Sequence, residues 1–485
     1  MITALTAVKG MPTDCYVGGI WRPGSGNKRF AVIDPATEET LVEVANGTPD
    51  DGIYAVGIAD QALGVWSNTA PRVRSEILRR AFELTVERVE IIARLIVAEN
   101  GKTLADARSE TLYAAEFFRW YAEEAVRNVG NVVTAPSGAN RILVVHQPIG
   151  VALLITPWNF PAAMLTRKIG PALAAGCTVV CKPASETPLT ALYIAAILEE
   201  AGLPAGVVNV IPSRESSAFA TALLADPRVR KLSFTGSTEV GRVLLGLAAK
   251  TVTNCSMELG GNAPFVVFAD ANIEAAVDGA MIAKMRNGGE ACTAANRFYV
   301  ESSVAQEFSE RLAAAMGKLQ MGHGLDARTE LGPLVNASSR DKVAELVNGA
   351  LEVGAKALTG GAVPDRPGYF YPATVLSAVP PDAAILSQEI FGPVAPIVIF
   401  GTEQEALSLA NMTDYGLVSY VYTNDLARGL RFSEALETGM VGLNRSLVSD
   451  PSAPFGGVKQ SGLGREGGHE GMSEYLETKY IACSW

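Results

Sequence analysis

From residue 150 onward the sequence alternates short, almost wholly apolar runs with amphipathic stretches, and this restricts the fold more than any other feature. The runs VALLIT (151–156), TVVCK (178–182), VVNVI (207–211) and KLSFT (231–235) have the length of strands, and helical patterns occupy 162–175, 187–201, 214–225 and 238–250. Strands that are apolar on both faces need cover on both faces, and the intervening helices supply it. The pattern therefore predicts an α/β fold with a mostly parallel, doubly wound sheet. With 485 residues the chain is too long for one ordinary core, and a second half from about 264 to 455 carries its own strands and helices.

Ahead of this region, residues 14–48 read as an antiparallel ribbon, and 50–66, 73–100 and 103–127 read as helices. Two strands, 131–135 and 141–146, follow across a Pro-Ser-Gly turn, and the closing TKYIACSW reads as an exposed edge strand open to pairing. No Lys, Arg, Asp or Glu lies between Arg141 and Arg167, yet Pro148, Pro157 and Pro161 interrupt the stretch, so a membrane span is not expected. A net charge of −11 with no basic tract speaks against nucleic acid and anionic membranes as partners. The N-terminus MITALTAVKGMPTD lacks the features of a signal peptide. Six Cys without a CxxC suit a reducing cytoplasm, and Cys177 and Cys181 read as core. His146, His323 and His469 stand far apart in sequence, so no metal site is expected.

Doubly wound sheets bind ligands at the carboxyl ends of their strands. After the first strand comes PWNFP, where Asn159 sits in a rigid turn and either donates its amide to an anionic oxygen or caps the next helix. After the second come Lys182 and Ser185, a cation and a hydroxyl suited to ribose hydroxyls or a phosphate. After the fourth come Gly236 and Ser237, which open a helix whose free N–H groups favour a phosphate, or form an ordinary turn. Further on, Gly288-Gly289 break a helical pattern just before Cys292, and a strand begins near Arg297. A thiol on such a turn is either a small core residue or a nucleophile that offers its sulfur and its own N–H to one carbonyl. Glu258 precedes a Gly pair in CSMELGGN. The match of GLGREG (462–467) to GxGxxG is chance, because no strand–helix unit surrounds it, and GSTEVG (236–241) has the wrong glycine spacing.

In order, PWNFP, KPAS, FTGSTEVG, MELGG, GEACTAANR, EIFGPV and PFGGVKQSGLGRE resemble the NAD(P)-dependent aldehyde dehydrogenases over residues 15 to 480 or so. The resemblance implies two doubly wound α/β domains plus a β-bridging oligomerisation element. These would be a cofactor-binding domain from 1–130 and 149–258, a catalytic domain from 259–455, and a bridging element from 131–148 and 456–485 that assembles dimers or tetramers. It implies that Cys292 attacks an aldehyde, that Asn159 and the Cys292 N–H hold the oxyanion, and that Glu258 activates the water that releases the acid. It further implies that Thr156, Trp158, Lys182, Ser185, Gly236, Ser237, Leu259, Glu389 and Phe391 line the cofactor, with Glu389 on the nicotinamide ribose.

Many NAD-preferring members carry a Glu where Ser185 stands, so NADP is favoured over NAD here, with Glu186 next door weighing against it. Within the family the sequence is most similar to succinate-semialdehyde dehydrogenases, which implies that Arg167, Arg286 and Ser449 grip the distal carboxylate of a small semialdehyde. A longer acid such as glutarate semialdehyde fits the same arginines, and a broad aldehyde dehydrogenase or a non-catalytic homologue are the rival readings. Three departures stand out. Ala294 replaces a second Cys able to form a disulfide, Glu290 replaces a Gln, and Arg445 is unusual in the loop LNRSLVSD.

Overall fold

The computed structural model describes residues 3–484; Met1 and Ile2 of the opening segment and Trp485 of the closing strand lie outside the described residues. Its larger sheet runs, edge to edge, through Ile20–Arg22, Cys15–Val17, Val208–Val210, Thr178–Lys182, Val151–Ile155, Val229–Thr235, Asn254–Glu258 and Gly462–Leu463. The strands from Val208 to Glu258 are parallel, as their apolar composition requires. Val151 to Leu154 are fully buried, and each such side chain contributes about 1.5–3 kcal/mol on leaving water.

The helix Ala163–Ala175 is buried along its whole length, between this sheet and the helix Leu104–Glu124. That placement takes Arg167 and Lys168 into the interior, where their charges must find partners. The second sheet has the order Lys356–Thr359, Thr374–Ser377, Val394–Phe400, Ala295–Glu301, Ala263–Val267, Val418–Tyr422 and Met440–Leu443, parallel except at its first strand.

A third sheet joins Leu476–Cys483, Arg141–Pro148 and Asn131–Thr134, with Val132 and Tyr480 exposed. Of the 456–485 stretch, only Leu476–Cys483 lies in this sheet. Val458–Lys459 pairs with Tyr415–Gly416, and Gly462–Leu463 pairs with the strand that ends at Glu258.

Three features differ from the sequence reading. The 73–100 helix divides into Pro71–Glu87 and Val89–Asn100 at Arg88, whose φ and ψ are −104° and 19°. Thr85 turns its hydroxyl back onto Ala81 O one turn earlier, a bond that bends helices, and Arg88 reaches out to Glu200. The first part of the 14–48 ribbon extends the large sheet, through the pairing of Tyr16 with Val210. A short helix, Ala4–Ala7, precedes it. No described helix is long and apolar enough to cross a membrane.

Candidate active site

The helix Ile273–Met285 ends in a turn whose three successive residues Asn287, Gly288 and Gly289 have φ of 54°, 60° and 81°. A Cβ at Gly289 would collide with Gly392 O, so the chain there admits only glycine. Asn287 tolerates its left-handed backbone because its side chain is fixed, donating from Nδ2 to Asn159 O and Glu290 O at 2.9 Å each. The turn delivers Cys292 to the amino end of the strand Ala295–Glu301 of the second sheet, where it faces Trp158 and Asn159 from the carboxyl edge of the first.

Cys292 stands where two cavities meet. On one side is a cleft of about 240 Å³, walled by Trp158, Gly236, Ser237, Leu259, Glu389 and Phe391, whose lining Asn159 and Cys292 share. On the other side a space of about 20 Å³ lies among Tyr113, Phe160, Met164, Arg167, Arg286, Ser449 and Phe455. Six of the nine residues expected at a cofactor thus wall one cleft. Thr156, Lys182 and Ser185 do not line it; they lie at the carboxyl ends of the neighbouring strands, where Thr156 N donates to Lys182 O. Lys182 is buried, its ammonium donates to Pro183 O, and burial brings its pKa down to about 8. Ser185 donates to Glu186 at 3.2 Å, which sets a carboxylate beside the position read as a phosphate site.

The cleft fits a dinucleotide by its own construction. Ser237 caps the helix Thr238–Ala248, so that helix directs its N-terminal N–H groups to the cleft edge. Glu389 accepts from Gly261 N at 3.0 Å, and burial pushes its carboxyl up to about 7. Trp158 and Phe391 meet edge to face at 5.5 Å and form an apolar wall.

All three residues expected to grip a carboxylate border the small pocket. Arg286 donates to Ser449 Oγ at 3.4 Å and lies over the Phe160 ring at 5.0 Å. Arg167 is fully buried, ion-paired with Glu466 and stacked on Phe455 at 4.3 Å. Lys168 donates to the other oxygen of Glu466 at 2.5 Å. Arg167 and Lys168 thus share one buried carboxylate, and of the two only Arg167 borders the pocket.

Burial pushes the Cys292 thiol up to about 12; Arg167 and Arg286 draw it down while Glu389 and Glu258 raise it. Glu258 lines neither cavity. Its Oε1 packs against Gly456, and its Oε2 is buried without a partner. Burial, followed by the charge of Glu466, holds its carboxyl well above the usual range, whereas Glu466, beside Arg167 and Lys168, lies below it. In this pair Glu466 carries the charge and Glu258 the proton. Asn159 is fixed on both sides: its amide donates to Glu290 O at 3.0 Å, and its own O accepts from Lys102 Nζ at 2.6 Å. No histidine borders either cavity: His469 bonds Glu124, His323 bonds Asp34, and His146 lies near Thr478 in the third sheet.

Sequence reasoning missed Tyr113, Phe160 and Met164, and also Lys342, which donates to Glu389 O, and Glu466, which sits inside the dismissed GLGREG run. Phe160, inside PWNFP, and Phe455 and Glu466, inside PFGGVKQSGLGRE, lay in quoted motifs that could have found them.

Residues 21–481 match the aldehyde dehydrogenase family. The chain is 57% identical over 444 residues to a succinate-semialdehyde dehydrogenase of Paenarthrobacter nicotinovorans, covering 92% of this chain and 99% of that one. It is 47% identical to a glutarate-semialdehyde dehydrogenase of Pseudomonas putida, with 97% of each covered. A crystal structure described as an E. coli NADP dependent enzyme superposes with a TM-score of 0.97 at 45% identity, covering 98% of both chains. The chain belongs to the aldehyde dehydrogenase family and is an oxidoreductase that acts on aldehydes with NAD(P).

Proposed function

We propose that the protein oxidises succinate semialdehyde to succinate, with NADP as the favoured cofactor and Cys292 as the nucleophile. The observation that carries this reading is the junction at Cys292. A cleft of about 240 Å³ lined by six of the expected cofactor residues lies on one side, and a small pocket bounded by Arg167, Arg286 and Ser449 lies on the other.

A carboxylate entering the small pocket would meet the Arg286 guanidinium and the Ser449 hydroxyl, with Arg167 adding charge from below. Its aldehyde end would then lie at Cys292. Sulfur attack on the carbonyl carbon gives a thiohemiacetal, and Asn159 Nδ2 with the Cys292 N–H stabilises the oxygen as its charge develops. The nicotinamide cofactor, held by Trp158, Gly236, Ser237, Leu259, Glu389 and Phe391 with Thr156, Lys182 and Ser185 further along the edge, supplies the hydride acceptor. Glu258 takes the proton of the water that cleaves the resulting thioester. Because its pKa is raised, it is a stronger base than an exposed carboxylate once ionised.

The 57% identity to a succinate-semialdehyde dehydrogenase favours a four-carbon acid, and a glutarate-semialdehyde activity is the second reading, supported by the P. putida relative at 47%. We keep the domain division read from the sequence except that the bridging element takes only Leu476–Cys483 of the 456–485 stretch, with dimers or tetramers assembled through the exposed third sheet. Six free cysteines suit a reducing cytoplasm. A matrix of NAD and NADP against succinate semialdehyde, glutarate semialdehyde and butanal tests the whole reading. We expect kcat/KM for succinate semialdehyde to exceed that for butanal by orders of magnitude, and a ratio near one would sink the acid assignment.

A further inference from the structure

Glu290 is a carboxylic acid in a place built for a neutral group. It is 2% exposed, sits two residues before Cys292, and its Oε1 accepts from Val335 N at 3.1 Å. That bond fastens the nucleophile turn to the loop leading into the helix Ala337–Glu352. Its backbone oxygen accepts from both Asn159 Nδ2 and Asn287 Nδ2. Any movement of Glu290 therefore carries the amide that would bind the oxyanion along with it.

The surroundings offer no free cation. The Lys102 ammonium is the charge nearest in effect, and it is already held by Glu110 at 2.5 Å and by Asn159 O. The loop 331–335 contributes only Leu331, Gly332, Pro333, Leu334 and Val335, the PWNFP turn brings no charge, and Glu290's own turn contributes Arg286, which faces Ser449.

Resting on the reading that Cys292 is the nucleophile and Asn159 the oxyanion donor, we propose that Glu290 is a positioning residue. As an acceptor from Val335 N–H and through its backbone oxygen it fastens the Cys292 turn and Asn159, and its ionisation disables the site by adding buried negative charge beside them. A proton on Glu290 makes it an electrical equivalent of glutamine. Once ionised, it places an uncompensated charge two residues from the sulfur, opposing both the thiolate and the developing oxyanion, and it competes with Glu110 and Asn159 O for Lys102. Burial pushes this carboxyl up to about 8, so the transition falls within the range an enzyme meets.

The test is the pH dependence of kcat in wild type and Glu290→Gln, each saturated with both substrates. Wild type should turn down above about pH 8, and the amide variant should lose that limb, becoming on the order of tenfold faster than wild type at pH 9.5. Superimposable profiles in two active enzymes would overturn the proposal. So would a folded Glu290→Gln that is equally depressed at every pH, which would mark a purely structural role. If the amide variant does not fold, alkylation of Cys292 by iodoacetamide in the Glu258→Gln, Glu389→Gln enzyme replaces it, since that background removes the two other carboxyls whose charges act on the sulfur. The rate should rise by clearly less than tenfold per pH unit between 8 and 9, and an unbroken tenfold rise overturns the proposal. Failure here leaves the Cys292 reading intact; that reading falls only if Cys292→Ala keeps its turnover.

Discussion

The two cavities that meet at Cys292 are built on opposite principles. The large cleft is walled by glycines, Trp158, Leu259 and Phe391, and on our proposal it reads the cofactor through shape and backbone N–H groups at a helix end. The small pocket is crowded by aromatic rings around Arg167 and Arg286, and on the same proposal it reads the substrate's acid end through charge. A cofactor shared by many reactions calls for the first kind of site, and a particular aldehyde calls for the second. Substitutions should therefore separate cleanly: those on the cleft side move cofactor constants, and those on the pocket side move the preference among aldehydes.

The largest effect should come at the junction itself. Cys292→Ala removes the bond-forming atom, and we expect kcat to fall by more than about 10³ while NADP binding, followed by fluorescence quenching, stays within about twofold. Comparable losses of both would mean that the cavities are not independent. Asn159→Ala should cost about 10²–10³ in kcat, because it deletes one oxyanion donor. Equal losses for acidic and neutral aldehydes would place Asn159 at the reacting carbonyl, and a selective loss would move it into the acid pocket.

These junction residues were legible in the sequence for a physical reason. Gly288-Gly289 must precede a sharp bend, and PWNFP and GEACTAANR each keep their chemistry within a few residues. The acid pocket was legible only in part. Arg286 shares the nucleophile's own turn, but Glu466 reaches Lys168 across 298 residues, and no local pattern encodes such a pairing. The break at Arg88 was hidden likewise, because no Gly or Pro marks it. Ser185 and Glu186 were both noted, yet the hydrogen bond between them had to be seen.

Arg286→Ala should act on the pocket alone. A charge-assisted hydrogen bond of about 1.5–3 kcal/mol corresponds to roughly a tenfold to hundredfold loss of kcat/KM for succinate semialdehyde, with butanal nearly unaffected. An equal loss for both aldehydes would show that Arg286 supports the turn and does not read the acid. The Glu258 carboxyl gives a smaller effect, and its sign follows from its surroundings. Its pKa lies above that of an exposed carboxylate, so the competent ionised form accumulates as pH rises, and kcat should climb across its acid limb. A variant that removes the Glu466 charge, Glu466→Gln, should move that limb to lower pH, and an unmoved limb would break the electrostatic link between the two carboxyls.

The smallest effect belongs to the strand edge beyond the cleft. Ser185 sits after the strand Thr178–Lys182, and its hydroxyl is engaged by Glu186. A phosphate arriving at this edge must recruit both Ser185 and Lys182 while tolerating the Glu186 charge, so on our proposal that carboxylate opposes the preference for NADP. Glu186→Gln removes that opposition without touching the hydroxyl, and we expect KM for NADP to fall several-fold while KM for NAD changes little. Ser185→Glu should reverse the order, because a carboxylate at this position accepts from ribose hydroxyls and repels the extra phosphate. Both shifts should shrink as ionic strength rises, since the groups are only partly buried. If KM for the two cofactors moves together in either variant, this edge does not read the phosphate at all, and discrimination must come from the cleft wall nearer the nicotinamide.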